Sequence, residues 1–294
     1  MKTAKSKIKM PLGSRIFDVF NVVFLGLLAF STLYPFWDSA VVSLSSIRGY
    51  LASDFHFWPS EWSFEPYKYM LAQPQLWSSY ANTLFITIVG TAVNMLITVP
   101  GAYVLSKKEL KGYRVIMFFI TFTMMFTGGI IPTYIIVDGL GLKDSLWSMI
   151  LPTAVNTFNL IVLRTFFFKN PKEIEESAAI DGCNDVSILV RIIIPITKAG
   201  ILTIAMYYAV FHWNDFFSGV MYITDPTKRP LQLFLRSMLF ESEAAYQTGG
   251  ESLFMLGQPM KMASVMMSIL PILIFYPVIQ KYFTQGATAG AVKG

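Results

Sequence analysis

The amino-acid sequence predicts an all-α membrane protein with six transmembrane helices, and three observations support this fold class. First, 54% of the 294 residues are hydrophobic and only 14% are charged, against about 25% charged residues in ordinary globular domains. Second, the mean hydropathy is +0.53. Third, apolar runs long enough to cross a bilayer recur along the chain. A soluble protein of this composition would expose large apolar patches, so we expect the chain to lie in a membrane.

Six stretches meet the length requirement for a transmembrane helix. Crossing a bilayer core of ~30 Å takes about 20 apolar residues at a rise of ~1.5 Å per residue. Several stretches contain proline, which membrane helices tolerate when neighbouring groups bind the freed backbone atoms. The predicted spans, in a single transmembrane domain that comprises residues 1–294, are 16–43, 80–105, 115–137, 146–168, 200–223 and 262–283.

The distribution of basic residues predicts that both termini lie in the cytoplasm. Cytoplasmic segments of membrane proteins are enriched in Lys and Arg, and an inner N-terminus places most of the 23 basic residues inside. The outer segments then hold only Arg48, Lys68, Lys143, Lys228, Arg229, Arg236 and Lys261. The net charge of +5 therefore follows from topology and requires no nucleic-acid partner. We interpret the first apolar run as an uncleaved anchor; the alternative is a cleaved leader.

Two long outer connections, residues 44–79 and 224–261, have two interpretations. They could dock an external partner, or they could merely cap the helix bundle, and the sequence favours neither. Tryptophan is typical of the membrane–water interface. Five of the six tryptophans lie in or beside outer connections, namely Trp37, Trp58, Trp62, Trp77 and Trp147.

The inner connection between the fourth and fifth spans, residues 169–199, predicts a helix–turn–helix at the cytoplasmic face. Pro171 stands where a helix can begin, and acidic residues in the next turn favour that start through the helix dipole. Gly182 can end the first helix. Residues 186–194 are apolar enough for a second short helix, which Pro195 would stop or kink. The segment is too polar to span and too apolar to remain bare, so we expect a partner to cover it.

This inner connection resembles the EAA loop of ABC importer permeases, whose pattern is E-A-A-x3-G-x9-I-x-L-P. The residues that match at the family's spacing are Glu176-Ser177-Ala178, Gly182, Ile192 and Ile194-Pro195. Ser177 replaces the first Ala and Ile194 replaces Leu, both small changes in size. Glu175, Ile180 and Asp181 also fit the version found in carbohydrate importers. The C-terminal tail, residues 284–294, is similar to that of MalG-type permeases.

The resemblance implies a permease subunit of a carbohydrate ABC importer in the bacterial cytoplasmic (inner) membrane. In that family the EAA loop forms a cytoplasmic coupling helix that inserts into a cleft on the ATPase subunit. Carried over, the ATPase-coupling residues are Glu175, Glu176, Ala178, Ile180, Asp181, Gly182 and Pro195. The implied partners are a homologous second permease subunit, a cytoplasmic ATPase dimer that binds ATP and Mg, an external solute-binding protein, membrane lipid and an oligosaccharide substrate. The chain looks closest to importers of acidic fragments such as alginate or pectin-derived uronides.

Polar side chains within the spans are the candidates for the substrate path, because they are costly in lipid and usually face a cavity or a partner. Those selected are Tyr207, Tyr208, His212, Trp213, Asn214, Asp215, Asn156 and Asn159. Aromatic rings stack on the C–H faces of sugars, and amide and carboxylate groups bind hydroxyls, so the mixture suits sugar recognition. Hydrogen bonding between helices also explains these residues, and both interpretations stay open.

Enzymatic functions lack support in the sequence. It contains no P-loop pattern, no H-E-x-x-H and no G-x-S-x-G, and the single cysteine, Cys183, cannot form a disulfide within the chain. We therefore expect a non-catalytic subunit with no metal site and no cofactor of its own. One alternative is an ion-gradient-driven secondary transporter, which should show paired inverted repeats. Another is a membrane scaffold, which would not need polar groups inside its spans.

Overall fold

The computed structural model describes residues 12–52, 54–126, 128–248 and 257–291, and its regular structure is helical. The α-helices are α1 (Leu12–Ser43), α2 (Ile47–Leu51), α3 (Glu65–Leu71), α4 (Pro74–Ser106), α5 (Tyr113–Met125), α6 (Ile130–Gly139), α7 (Trp147–Ile150), α8 (Thr157–Phe168), α9 (Lys172–Ile180), α10 (Asp185–Ile188), α11 (Ile194–Ile196), α12 (Lys198–Asn214), α13 (Phe217–Tyr222), α14 (Leu231–Thr248) and α15 (Gly257–Ala291). In these ranges strand-like pairing is limited to one bridge between Ser45 and Trp62. The predicted all-α class is confirmed.

The described residues hold three helices long and apolar enough to cross a membrane on their own. These are Ile16–Ser43 within α1, the whole of α4, and Gly257–Ile274 within α15. Three bent pairs also pass the same test of length and composition, namely α5 with α6, Trp147–Thr153 with α8, and Asp185–Ile196 with α12. The number of spans is therefore three, or up to six if each bent pair crosses once. The count of six stays a prediction.

The stretch predicted as the fourth span, residues 146–168, is interrupted in the structure. After α7 the chain makes a 3-10 turn at Leu151–Thr153, and α8 starts only at Thr157, with a bend of 53° between the two pieces. Asn156 caps α8, since its Oδ1 accepts a hydrogen bond from the Asn159 amide (3.0 Å). Asn favours such caps over helix interiors, so an apolar run alone does not reveal the break.

The stretch predicted as the fifth span, residues 200–223, is interrupted as well. Helix α12 ends at Asn214, and the separate helix α13 follows. Asp215 lies at the junction, where its Oδ1 accepts a hydrogen bond from the Ser218 amide (3.0 Å) in the first turn of α13. The carboxylate thus binds a backbone donor that the first turn of α13 leaves without an intrahelical partner.

The chain divides into two compact units, Met1–Tyr69 with Glu241–Met267 and Met70–Phe240 with Ser268–Gly294. In the first unit, α1 exposes apolar side chains along its length, as a membrane span does when it faces lipid. The outer segment after α1 is fastened by a hydrogen bond from Tyr67 OH to Ser43 Oγ (2.8 Å). The Tyr50 and His56 rings stack there with centroids 4.8 Å apart.

The second unit is built around α4, which packs along α8 and α12. Two glycines permit the closest approaches. A Cβ at Gly200 would lie 2.6 Å from Cγ of Phe166, and a Cβ at Gly90 would lie 2.6 Å from Nε2 of His212. Small residues at helix interfaces allow such contact between membrane helices. The apolar core continues from these helices into the connection at residues 169–199, with Val99, Ala102, Leu105, Leu160, Leu163, Ala178, Ile188, Leu189 and Ile193.

The connection at residues 169–199 begins with the helix and glycine turn that the sequence predicts. Helix α9 starts after Pro171 and is closed by Gly182, whose φ is +83°. The amide of Cys183 donates to the carbonyl of Ala178 (3.0 Å), and that of Gly182 donates to the carbonyl of Ala179 (3.1 Å). These two bonds are the Schellman arrangement, which needs a left-handed residue at the position of Gly182.

The second part of the connection is a short helix that changes its winding before a proline. Helix α10 is capped by Asn184, whose Oδ1 accepts from the Ser187 amide (2.8 Å). A π-turn follows at Leu189–Ile193, directly ahead of α11 with Pro195. Proline lacks an N–H and its ring crowds the carbonyl of the preceding turn, so the helix widens there. The chain then bends by 87° into α12.

Candidate functional site

The inner face of α9 is anchored to the end of α4. The side chain of Glu175 is only 15% exposed; it forms an ion pair with Lys107 and accepts a hydrogen bond from Tyr103 OH (2.9 Å). One turn further, Ala178 is buried in the core that contains Tyr103 and Leu105. Residues three apart share a face of a helix, so the face with Glu175 and Ala178 is internal.

A second ion pair joins the same two segments nearer to water. Lys172 at the start of α9 pairs with Glu109 in the connection after α4, and both side chains are exposed. The hydrogen bond from Lys172 holds the pKa of the Glu109 carboxyl below its usual value. Burial lowers the pKa of Lys107, because desolvation disfavours its charged form. The loop is thus held by one half-buried pair and one exposed pair.

The opposite side of the turn is exposed, and we refer to it as the docking face. It consists of Glu176, Ile180, Asp181, Gly182, Val186 and Val190. Ile180 is 86% exposed, Val186 is 70% exposed and Val190 is 55% exposed. Several strongly exposed apolar side chains in one short segment, with carboxylates beside them in the chain, are typical of a protein-docking surface.

The coupling residues predicted from the sequence therefore fall on different faces. Glu175 and Ala178 are internal, Glu176, Ile180, Asp181 and Gly182 lie on the docking face, and Pro195 is an exposed residue of α11. The sequence did not predict that Lys107 and Tyr103 would bind Glu175. Lys107 lies in the basic segment after the second predicted span. The positive-inside rule already accounted for a basic residue there, so there was no separate reason in the sequence to expect an ion pair.

The polar residues selected in the fifth span mostly bind neighbouring helices. Tyr208, 1% exposed, shares a hydrogen bond with Thr98 Oγ1 of α4 (2.9 Å), and its hydroxyl accepts from the Asn156 amide (3.0 Å). His212 lies 2.7 Å from Asn94 Oδ1 through its Nε2, and Asn94 in turn donates to the Thr153 carbonyl (2.7 Å). Such bonds between helices are typical of polar groups inside an apolar bundle, although Nδ1 of His212 is buried without a hydrogen-bond partner among the described residues.

The remaining residues of that cluster also have local partners. Trp213 donates from Nε1 to the Ser268 carbonyl (3.2 Å), and Asn214 donates from Nδ2 to the Val210 carbonyl (2.9 Å). Asp215 binds the Ser218 amide at the start of α13. Of these three side chains, only Trp213 binds another long helix; the partner of Asn214 lies in α12 itself, and Asp215 caps the adjoining helix α13.

Ligand-binding clefts have volumes of about 300–1,000 Å³, and the structure holds a cleft of ≈ 670 Å³ between the start of α8 and α12. Its lining residues are Pro152, Thr153, Val155, Asn156, Phe158, Asn159, Met206, Tyr207, Tyr208, Val210 and Phe211. Four of the predicted substrate-path residues are therefore brought together, namely Asn156, Asn159, Tyr207 and Tyr208. The sequence did not single out Phe158 or Phe211, because isolated Phe is ordinary in an apolar span.

Neither region has the composition of a metal centre. Across the described ranges, no group of three or more His, Cys, Asp or Glu side chains comes together to hold a metal ion. The described residues that line the cleft are all uncharged. The cleft can therefore offer hydrogen bonds and aromatic faces to a ligand, and the docking face can offer carboxylates and apolar contacts to a protein.

Comparison with known proteins relates this arrangement to transport. No protein-family model matches the chain. Protein LplC of Bacillus subtilis is 40% identical over 285 residues, covering 96% of both chains. The polygalacturonan/rhamnogalacturonan transport system permease protein YtcP of the same organism is 38% identical, covering 96% of this chain and 100% of that one. A solved bacterial ABC transporter involved in the import of the acidic polysaccharide alginate matches with a TM-score of 0.85 and 35% identity, over 93% of this chain and 99% of that chain.

The apolar helices and these relatives define a multi-pass protein of the inner membrane. The chain belongs to the MalG-type permease subunits of carbohydrate ABC importers. The resemblance inferred from the EAA-like loop and the tail is thereby confirmed.

Proposed function

We propose that this chain is the membrane subunit that couples ATP hydrolysis in a partner ATPase to alternating access for an oligosaccharide. The observation that carries the proposal is the docking face at the cytoplasmic turn. It combines the EAA-like spacing with an uncovered apolar surface centred on Ile180, which is 86% exposed. A short helix that is fastened on one side and exposed on the other suits a lever that biases two arrangements of the bundle.

The assembly in this proposal has four kinds of component. A homologous permease completes the pathway, an ATPase dimer binds ATP and Mg and performs the hydrolysis, and an external solute-binding protein delivers substrate. This chain is a non-catalytic subunit with both termini in the cytoplasm. Glu176 and Asp181 suit a basic residue of the ATPase, since Arg and Lys bind carboxylates with charge-assisted hydrogen bonds.

The cleft is the proposed contribution of this chain to the substrate path. Tyr207 is 37% exposed, and the Phe158 and Phe211 rings are 54% and 46% exposed, so aromatic faces are open to a ligand. Asn156 and Asn159 add amide groups at the same wall. Aromatic rings can stack on the C–H faces of a sugar while the amides bind its hydroxyl groups.

The proposed substrates are oligosaccharides, including acidic ones such as alginate or pectin fragments. Support comes from the polygalacturonan and rhamnogalacturonan of the YtcP transport system and from the alginate imported by the solved transporter. Because the described residues that line the cleft include no Lys or Arg, this chain would recognise the rings and hydroxyl groups of the substrate. Cations for its carboxylates would have to come from the second permease.

Co-purification tests the coupling role. The tagged chain is expressed with its neighbouring genes and purified in detergent, beside Gly182→Asp and a matched control, Gly112→Asp. Both glycines have positive φ, +83° and +76°, and a Cβ would meet no atom within 4 Å at either, so the two variants carry similar backbone strain. We expect the ATPase to be recovered with the wild type and the control, and to be lost or uncoupled with Gly182→Asp. If no ATPase accompanies the wild type, the proposal fails and ion-driven transport becomes the next hypothesis.

The substrate class is tested on the reconstituted complex. ATP hydrolysis is measured with alginate, polygalacturonate and maltose oligosaccharides, for the wild type and for Tyr207→Ala. We expect acidic oligosaccharides to stimulate hydrolysis, and the variant to need a higher concentration of them for the same stimulation. Stimulation by maltose oligosaccharides alone would contradict the acidic class.

A further inference from the structure

Glu175 occupies a position that differs from that of its neighbour in the same acidic run. Glu176 is exposed on the docking face, whereas Glu175 is turned inward and pairs with Lys107 while accepting from Tyr103 OH (2.9 Å). The Lys107 ammonium also lies over the Tyr103 ring, 4.6 Å from its centroid. We call these three residues the α9 clamp. Both partners contact Oε2 of Glu175, and only 15% of the side chain is exposed, so the carboxylate is withdrawn from the surface that a partner protein would reach.

The clamp fixes α9 to the end of α4, the helix that also binds Tyr208, one of the residues that line the cleft. Further along α4, Thr98 shares a hydrogen bond with Tyr208 (2.9 Å), and Asn94 lies 2.7 Å from His212 Nε2. Tyr208 itself lines the cleft and binds the Asn156 amide. One continuous helix thus connects the coupling turn to the wall of the cleft.

We infer that Glu175 is a positioning residue: the α9 clamp transmits displacement of the coupling turn to α4, and Glu175 itself does not bind the ATPase. This inference rests on the proposed coupling function. Charged groups that share hydrogen bonds in a half-buried site hold a defined geometry better than exposed pairs do. A displaced α9 therefore moves α4, and the cleft wall moves with α4. Without the clamp, α9 can shift on the ATPase while α4 stays in place.

The experiment separates binding of the ATPase from coupling to it. The whole complex is purified and reconstituted with the wild type, Glu175→Gln and the adjacent control Glu176→Gln. Two quantities are measured: the ATPase recovered per permease, and the ratio of substrate-stimulated to basal ATP hydrolysis. We expect Glu175→Gln to keep ATPase recovery within about twofold of the wild type and to lower the stimulation ratio at least about fivefold, within the range of measured coupling energies. Glu176→Gln should instead lower the recovery.

A double-mutant cycle tests whether the clamp acts as a unit. Lys107→Gln should lower the stimulation ratio to a similar degree, and the Glu175→Gln/Lys107→Gln double variant should be no worse than either single variant, because one interaction is lost only once. Tyr103→Phe removes the hydroxyl and keeps the ring, so it provides a mild variant if Glu175→Gln fails to fold. We expect it to lower the stimulation ratio by a smaller factor.

The outcomes distinguish the inference from the function on which it rests. Additive losses in the cycle, or an ATPase recovery that falls with Glu175→Gln as far as with Glu176→Gln, would overturn the positioning role and leave the coupling function standing. The positioning role would also be overturned if the stimulation ratio were unchanged in both single variants, Tyr103→Phe and Glu175→Gln. Failure of the wild type to recover any ATPase would refute the proposed function itself.

Discussion

Buried polar side chains are bound in two different ways in this protein. An ion pair binds them at the turn after α9, and neutral hydrogen bonds bind them between α4 and α12. At the turn, Glu175 is paired with a cation, Lys107, at the edge of the bundle. Between α4 and α12, the pairs Asn94–His212 and Thr98–Tyr208 use no carboxylate and no ammonium group. The cost of burying a charge grows as water is excluded. An ion pair is therefore favoured at the more exposed end of α4, and neutral hydrogen bonds are favoured along its buried part.

The turn after α9 and the contact between α4 and α12 also differ in how tightly they are packed. Gly90 brings α4 so close to α12 that a Cβ would meet the His212 ring, while a Cβ at Gly182 would have open space around it. In the bundle a glycine is needed for space, and in the turn a glycine is needed for its backbone angle. The following predictions test this comparison, beginning with the largest expected effect.

Gly90→Ala should be the most disruptive change, because its Cβ would lie 2.6 Å from Nε2 of the buried His212. Overpacking and loss of the Asn94 bond together should cost about 2–4 kcal/mol of stability. The measurement is thermal unfolding of the purified protein in detergent. Gly101→Ala in the same helix is the control, since its Cβ would lie 3.5 Å from Leu160 Cδ1, an ordinary contact. Equal midpoints for the two variants would contradict close packing at Gly90.

Gly182→Ala should have an intermediate effect through backbone strain alone. At φ +83° an alanine costs about 1–2 kcal/mol relative to glycine, and no neighbouring atom adds a clash. Hydrogen exchange should show faster exchange of the α9 amides, with little change in α12. Gly139→Ala, at the end of α6 and also in open space, should leave exchange in α9 as it is. An unaltered α9 in Gly182→Ala would argue against the Schellman turn.

Glu109→Gln should have the smallest effect, because the Lys172–Glu109 pair is exposed and screened by salt. The pKa of the Glu109 carboxyl is lowered in the folded protein, mainly by the hydrogen bond from Lys172. The stabilisation is therefore present above the usual pKa of 4.5 and is lost as the pH falls through the lowered value. The difference in unfolding temperature between wild type and variant should shrink in acid and in high salt. A difference that persists in acid would refute this account.

Local features of the cytoplasmic turn could be predicted from the sequence. Pro171 starts α9, Gly182 closes it, and Pro195 disturbs the second helix, since each effect depends on one residue's backbone. The orientation of Glu175 and Glu176 could not be predicted. Adjacent residues of an α-helix point about 100° apart, so one of the two must turn inward, and only contact with Lys107 and Tyr103 decides which.

The same division applies to the cleft. The sequence placed polar residues in the fourth and fifth spans, but it did not show that Tyr207 would be open and Tyr208 buried. It also did not reveal the capped break at Asn156, which shapes one wall. Both depend on contacts between residues more than fifty positions apart in the chain, namely Asn156 with Tyr208 of α12 and Thr153 with Asn94 of α4.

By itself the sequence determined the helical class, the apolar composition and the glycine turn after α9. Those properties follow from hydrophobic content, from helix length and from the backbone preferences of Gly and Pro, all of which act over a few residues. The tertiary structure decided which polar side chains bind each other and which remain open to a partner. That choice depends on how closely α4, α8, α9 and α12 approach, because a polar group in an apolar bundle must find a partner wherever packing places one.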